Sequence, residues 1–484
     1  NQFVESFTEA SASTYYLFLG KATAYTSTTT GGSDSSPPTP NTGAEDEFRA
    51  WRSMLGAKLI TSSDVKRSIP RRNWSNGATF DMYRHDYSSS NTTTSGSSDL
   101  FDSTFYFMTS DFRVYKVLDN NGGSAFSGSE PTSESTSPFA SGGYVLKYMY
   151  TISTSDFSKF GTTDFIPVAT DSTVSAAATD GKIESLVVTA GSGYTDGTYY
   201  AAVFGDGTNQ GTSSGAIVRI TVSSGAIVSF GLTAGTDTTI HAGGAGYTFG
   251  FVNLGDDYIF SDASLSSSAS LGGGSGGAIE VIISPDGGHG SDAVQELGGH
   301  FVMLATTLTQ AEGDDFTTAN DFRSVGIVVD PTNFGTSTVA TASTRRQTYI
   351  VKVDTNSGTF EADERITQAT TGAVGKVVEF DSSLSLLYYQ QEEFKGFGTN
   401  ATTGGYVAFS GTNQITGASS GATGTTAGTT ETVTLANANT VTLTSGYANP
   451  ELAFPSGNII YLENRKPIQR ASDQTEDIKV IIEF

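Results

Sequence analysis

The chain has 484 residues with no cysteine, 56 Gly and 12 Pro, and its 26 basic and 50 acidic residues give a formal net charge of −24. The absence of cysteine excludes disulfide frameworks, thiolate zinc sites, iron–sulfur clusters and cysteine nucleophiles, and the negative charge disfavours non-specific binding to nucleic acid or anionic membrane. Aromatic residues at 11% supply apolar surface for packed cores, which excludes wholesale disorder, and no apolar run approaches the ~18–20 residues of a membrane span.

Length predicts roughly two to four domains. The opening Asn1-Gln-Phe-Val-Glu-Ser-Phe7 lacks the basic start and apolar stretch of a secretory signal. The best helical stretch is 43–59, where Phe48, Trp51 and Leu55 fall on one face, downstream of a polar loop holding Pro37, Pro38 and Pro40. A basic concentration follows: Lys66, Arg67, Arg71 and Arg72 lie within seven residues, with Trp74 close behind. The overall charge argues against a nucleic-acid patch. Pairing with the protein's own carboxylates is one reading, and contact with a partner protein is the other, since Arg and Trp are residue types that anchor interfaces.

From there the pattern is β. Thr104–Met108, Phe112–Leu118, Tyr144–Ile152, Val325–Val329 and the terminal Ile478–Phe484 are rich in β-branched and aromatic residues and bounded by turn formers. Polar loops at Ser88–Ser98 and Ser124–Pro138 separate the first of them. Residues 173–275 and 341–447 have another texture, dominated by Gly, Ser, Thr and Ala. Each carries internal repeats. Gly191-Ser-Gly-Tyr-Thr recurs as Gly244-Ala-Gly-Tyr-Thr, and Ser214-Gly-Ala-Ile-Val recurs as Ser224-Gly-Ala-Ile-Val. Ile366-Thr-Gln-Ala-Thr-Thr-Gly-Ala-Val-Gly is matched by Ile415-Thr-Gly-Ala-Ser-Ser-Gly-Ala-Thr-Gly. Repeats of this size mark duplicated supersecondary units. The chain therefore reads as mainly β, a multi-domain β-sandwich-like core with inserted small Gly-rich β modules and one short N-terminal helix. The boundaries expected are an N-terminal core at 1–172, a repeat module at 173–275, core again at 276–340, a second module at 341–447 and a C-terminal core strand region at 448–484.

The chemistry-bearing motifs are weak. Gly-x-Ser-x-Gly at 211–215, 273–277 and 417–421 lacks the strand-to-helix context of a nucleophile elbow. Asp286-Gly-Gly-His289-Gly-Ser-Asp292 offers one imidazole and two carboxylates in a Gly turn, too few for zinc, and one isolated copy of a calcium repeat. Gly272-Gly-Gly-Ser-Gly-Gly lacks the Lys of a phosphate loop. Asp354-Thr-Asn-Ser-Gly opens like a calcium loop, but Arg365 stands where its bidentate Glu belongs. The sequence predicts no enzyme, no cofactor and no metal, and among the 50 acidic residues it singles out no carboxylate pair of the glycosidase type.

Two stretches carry a family resemblance. Val65-Lys-Arg-Ser-Ile69-Pro70-Arg71-Arg72-Asn-Trp74 and Ile460-Tyr-Leu-Glu463-Asn464-Arg465-Lys-Pro467-Ile468, followed by Asp473-Gln474-Thr-Glu-Asp, resemble the dimeric baseplate wedge protein of T-even-like contractile-tailed phages. Tyr15–Gly20, Gly142–Ile152 and Asp321–Ile327 with Pro331 are similar to strands of the same family, so the likeness covers about 1–170, 280–335 and 450–484. The two repeat regions have no counterpart in the T-even type, and their elements resemble small β repeats of cyanophage structural proteins. The resemblance implies a virion structural protein of the tail baseplate, assembled in the host cytoplasm. It implies a homodimer that contacts other wedge proteins and fibre-attachment proteins and takes part in the rearrangement that triggers contraction. It supplies no catalytic residues. Ile69, Pro70, Arg71, Arg72, Trp74, Glu463, Asn464, Arg465, Pro467, Asp473 and Gln474 are the motif positions and candidate interface residues. An alternative reading is a glycan-binding adhesin using exposed Tyr194, Tyr199, Tyr200 and Tyr247; a tail-associated glycanase ranks last.

Overall fold

The computed structural model describes residues 6, 13–26, 31–41, 43–311, 315–391, 406–435 and 439–483. Most of the opening Asn1–Phe7 and the final Phe484 lie outside them. Strands account for 41% and helices for 8%, so the protein is mainly β with several sheets. No helix among the described residues is long and apolar enough to cross a membrane. The chain forms two compact units, one from Asn1–Val65 with Leu304–Val480 and the other from Lys66–Met303 with Ile481–Phe484.

The first unit contains a five-stranded antiparallel sheet in the order Thr344–Arg346, Met54–Ile60, Tyr15–Gly20, Phe322–Val329, Asn458–Ile468. Tyr15–Gly20 is buried along its whole length because it is paired on both sides, with Phe18 opposite Ala57 and Gly326. Tyr16, Phe18, Trp51, Met54, Val328 and Leu452 form the core beneath. The helix expected over 43–59 is shorter. It runs Ala44–Ser53, and Met54–Ile60 is a strand. Tertiary pairing overrides the helical periodicity at this point: Met54 turns extended, and Gly56 faces Leu19 in the ladder. A Cβ on Gly56 would sit 2.5 Å from the Asp315 carbonyl oxygen, so only glycine fits the close approach.

The same unit carries an eight-stranded sheet ordered Thr355–Ser357, Thr423–Thr425, Ile415–Gly417, Arg365–Gln368, Ala373–Asp381, Leu386–Gln390, Tyr349–Lys352, Tyr447–Ala448. Here the second sequence repeat becomes two hairpins of identical register. Ile366 pairs with Gly375 and Ile415 with Gly424, nine positions on in each case. The two copies lie side by side through Ile366 and Gly417.

In the second unit, Tyr106–Met108, Arg113–Asp119, Tyr144–Thr151 and Phe139–Ser141 form a four-stranded sheet over an aromatic core that includes Phe105, Phe107, Tyr115, Phe126 and Tyr144. An eight-stranded sheet follows along Ala226–Ile227, Ile217–Ser223, Gly197–Gly205, Gly250–Val252, Ser275–Ile282 and Ser185–Ser192, with Thr239–Ala242 added beside Ile217–Ser223 and Ile259–Phe260 beside Gly197–Gly205. The first sequence repeat builds the same device twice in this sheet. Gly191 and Gly244 both adopt left-handed φ, of 62° and 60°. A Cβ on Gly191 would lie 2.4 Å from Gly277 N, and one on Gly244 would lie 2.8 Å from Ala216 N. The tyrosine three residues on then accepts that same N–H: Tyr194 from Gly277 at 2.9 Å and Tyr247 from Ala216 at 3.2 Å. Tyr247 and Tyr199 are buried in the core, which corrects the expectation that they are exposed. A hydroxyl that caps a backbone N–H is most valuable where water is excluded.

Among the described residues three short α-helices accompany the expected one. Each is begun by a side chain that accepts the first free N–H groups: Ser153 for Thr154–Phe160, Asp171 for Ser172–Ala177 and Asp292 for Ala293–Glu296.

Candidate functional site

The motif residues divide between the two units, with Ile69–Trp74 in the second and Glu463–Gln474 in the first. Ile69 is fully buried and pairs with Ile166; Pro70 pairs with Phe165, and its carbonyl accepts the Tyr106 hydroxyl at 2.7 Å. Arg71 donates from Nη1 to the Thr162 carbonyl at 2.8 Å and from Nε to Asn73 at 3.0 Å, with its guanidinium over Phe157. Arg72 donates to the Phe101 carbonyl at 2.9 Å and lies over the Tyr106 ring, and burial lowers its pKa. Trp74 stands edge-on to Phe126 and donates its main-chain N–H to Met108. Carboxylate pairing, one of the readings of the basic run, is realised at Lys66, 3.6 Å from Asp156. Arg71 and Arg72 turn instead to carbonyls and ring faces, the planar contacts that guanidinium suits better than ammonium does.

Asn458–Ile468 forms one edge of its five-stranded sheet. It pairs with Phe322–Val329 in a register that places Glu463 opposite Val325 and Asn464 opposite Ser324. Ile468 is then opposite Phe322, so Arg465, Lys466 and Pro467 fall in an irregular step of the ladder where the strand carries extra residues. Arg465 and Lys466 are exposed there. Glu463 accepts the Tyr461 hydroxyl at 2.7 Å and stands 3.4 Å from Arg465. Ile460 is 47% exposed. An edge strand with an exposed apolar residue, whose outer rim pairs with no strand among the described residues, is a template for a further strand.

Two fastenings hold this strand's inner side. Asn464 donates from Nδ2 to the Pro38 carbonyl at 2.9 Å. Arg323, 7% exposed, forks onto both Asp34 carboxylate oxygens at 3.0 Å. Burial raises the Asp34 pKa, but the Arg323 and Tyr25 hydrogen bonds outweigh it, so the carboxyl titrates below its ordinary value. The proline loop is thereby tied to both Phe322–Val329 and Asn458–Ile468. Between these parts lies a cleft of about 250 Å³ lined in part by Lys21, Arg49, Ser324 and Asn464.

Asp473 is exposed, while Gln474 joins a lock that the motifs did not reveal. The Gln474 carbonyl accepts Gln310 N–H at 3.0 Å. Beside it Arg470, with a side chain only 1% exposed, pairs with Glu476 at 3.0 Å and donates to the carbonyls of Thr317, at 2.9 Å, and Gln310. Arg470 falls between the two quoted motif pieces; a lone Arg before a turn gives no sign that partners 153 and 160 positions upstream converge on it.

The chemistry of these surfaces is recognition by backbone rim, ion pair and ring, with no nucleophile–base pair brought together among the motif residues. Residues 429–484 match the family model described as Bacteriophage T4, Gp8. The match begins at the hairpin Glu431–Thr434 with Thr440–Leu443 and runs through the edge strand and the Arg470 lock. No curated protein matches the chain.

Proposed function

We propose that this chain is a structural subunit of a phage tail baseplate wedge, held in its assembly by strand-edge contacts. The observation that carries the reading is the coincidence of two facts. The segment that resembles Gp8, residues 429–484, is also the segment that presents an eleven-residue edge strand. A structural baseplate role needs surfaces of this kind and needs no catalytic site. In this reading the protein is a homodimer that links neighbouring wedge proteins and fibre-attachment proteins within the virion tail and is assembled in the host cytoplasm. The Gly-rich regions 173–275 and 341–447 are modules inserted into the wedge core of 1–172, 276–340 and 448–484. Contraction then proceeds by rigid-body movement, since packed cores switch between discrete arrangements rather than deforming continuously.

Light scattering on the purified chain tests the reading. A dimer has twice the 50.5 kDa chain mass, and the protein retains co-expressed wedge proteins of the same virion in a pull-down. A monomer that retains none of them overturns it.

A further inference from the structure

The Gly-rich sheet of the second unit holds an open pocket of about 400 Å³. Its walls include Arg219, Lys182, Glu184, Leu232, Ile240 and His241. Arg219 lies on Ile217–Ser223, opposite Tyr200 on one side and Thr239 on the other. The Tyr200 and His241 rings meet edge-to-face at 5.5 Å, which fixes the imidazole at the pocket rim.

Charge is what distinguishes this pocket. Lys182 is neutralised by Glu184 at 2.7 Å, and Glu184 is 8% exposed. Among the described residues no carboxylate or carbonyl engages the Arg219 guanidinium, and its Nη1 is buried without a hydrogen-bond partner. In a chain with 50 acidic residues, an arginine left unpaired in a concavity is a conspicuous exception. Nε and Nη2 are neither buried nor bonded among the described residues, so that edge of the guanidinium is the one open to an incoming acceptor. The planar fork of guanidinium matches a carboxylate with two parallel hydrogen bonds.

We propose that this pocket binds a single carboxylate on a sugar-sized ring, a hexuronic acid unit of a surface polysaccharide. One uncompensated positive charge matches one carboxylate. The volume lies within the roughly 300–1,000 Å³ of small-molecule sites and exceeds the needs of one Asp or Glu side chain. Leu232 and Ile240 offer apolar surface to the ring face, while Glu184 and His241 offer polar atoms to its hydroxyls. The net charge of −24 repels dense polyanions at long range, so the fitting source is an isolated or terminal uronate. This site is additional to the structural role and does not depend on it.

The test is calorimetric titration of the full chain with sodium D-glucuronate, with D-glucose, sodium acetate and an acetylated Glu-Glu peptide as controls. Saturable glucuronate binding is expected, with each control at least about tenfold weaker. Arg219→Gln should weaken glucuronate binding at least about tenfold by removing the charged fork. Ala234→Trp, which keeps Arg219 but fills the pocket, should do the same. Both variants are to retain the wild-type melting temperature. Absence of glucuronate binding, equal binding by both variants, or equal binding of acetate, glucose or the peptide overturns the proposal; equal peptide binding assigns the pocket to an acidic protein segment.

Discussion

Lys116 and Glu296 form an ion pair inside the second unit, with side-chain exposures of 0% and 1%. Lys116 sits in the apolar strand Arg113–Asp119, and Glu296 ends the short helix Ala293–Glu296. The other Glu296 oxygen accepts Gly290 N–H at 2.7 Å, and the ammonium lies over the Tyr83 ring. His289, with both ring nitrogens buried and unpartnered, stands edge-on to the same ring. Burial drives the Lys116 pKa down, with Glu296 opposing, and burial drives that of His289 well below its ordinary value, so the imidazole stays neutral.

Removing one member strands the other charge in the core, a loss of roughly 3–5 kcal/mol. Replacing both with apolar residues of similar volume removes that penalty. Lys116→Met alone and Glu296→Leu alone should each lower the urea midpoint of the second unit strongly, and the double variant should recover the stranded-charge part of the loss but not the acceptor that Glu296 gives the buried Gly290 N–H. Additive losses in the double variant would show that the pair is not the determining interaction.

The duplicated Gly-x-Gly-Tyr device gives a second expectation. The Tyr247 hydroxyl accepts Ala216 N–H and donates to the Val203 carbonyl, both buried. Tyr247→Phe leaves the Ala216 N–H unsatisfied, while the Val203 carbonyl keeps the Gly211 N–H at 3.1 Å, at a cost of about 1–3 kcal/mol. Tyr194→Phe should cost less, because the Gly277 N–H it caps is only partly buried. Hydrogen exchange localises the effect: the Ala216 amide should lose protection in the first variant and the Gly277 amide in the second. Uniform loss across the sheet would refute the assignment.

Asp119 sets a pH dependence. Burial pushes its carboxyl up to about 6 from the ordinary 3.8, against the pull of the Asn121 N–H at 2.9 Å. The folded state therefore holds this proton more tightly than the unfolded chain does. The resulting stabilisation is present in full below about pH 4 and is lost as pH rises through about 6. Asp119→Asn, neutral throughout and able to accept the same N–H, should stabilise the second unit by about 1–3 kcal/mol at pH 7.5 and by little near pH 4. Denaturant midpoints of both proteins at the two pH values decide it, and a difference independent of pH would contradict the burial argument.

How much of this was visible in one dimension follows from how local each cause is. Tyr144–Thr151 and Arg113–Asp119 announce themselves through β-branched and aromatic runs. The repeat at 366 and 415 is legible because its register is set by a short turn. The caps Ser153, Asp171 and Asp292 stand directly before the helices they start, but these helices are too short to show a hydrophobic period, and none of them is predicted from the sequence. The helix over 43–59 overshoots because Phe48, Trp51 and Leu55 fit a helical stripe, while the partner strand Tyr15–Gly20 that draws Met54–Ile60 into the sheet is distant in sequence. Tyr247 reads as a surface aromatic among small residues; only the fold shows that the repeat buries it. Arg323 with Asp34, 289 positions apart, and Arg470 with its upstream carbonyls are long-range pairs that no spacing rule reaches. For the site, the motif positions 463–474 fall in the segment matched to Gp8, yet which of them face outward became evident only from the edge position and from the irregular step at Arg465–Pro467.

That edge leads to the last prediction. Natural edge strands discourage pairing with Lys, Pro, bulges or brevity. Asn458–Ile468 carries Lys466, Pro467 and the longer irregular step at one end, and a single-residue step at Ile460 near the other. Pro467 has no N–H to offer a new strand. That other end has no Lys or Pro, and Ile460 is exposed there on a rim that pairs with no strand among the described residues. If self-association runs along this rim, it uses 458–464 and leaves 465–468 free. Ile460→Lys should then leave the melting temperature almost unchanged, as for an exposed site within about 0.5 kcal/mol, while shifting light-scattering mass toward the monomer at micromolar concentration. Lys466→Ile, at the guarded end, should leave the mass as it was. A dimer that withstands Ile460→Lys would place the self-association surface elsewhere on the molecule.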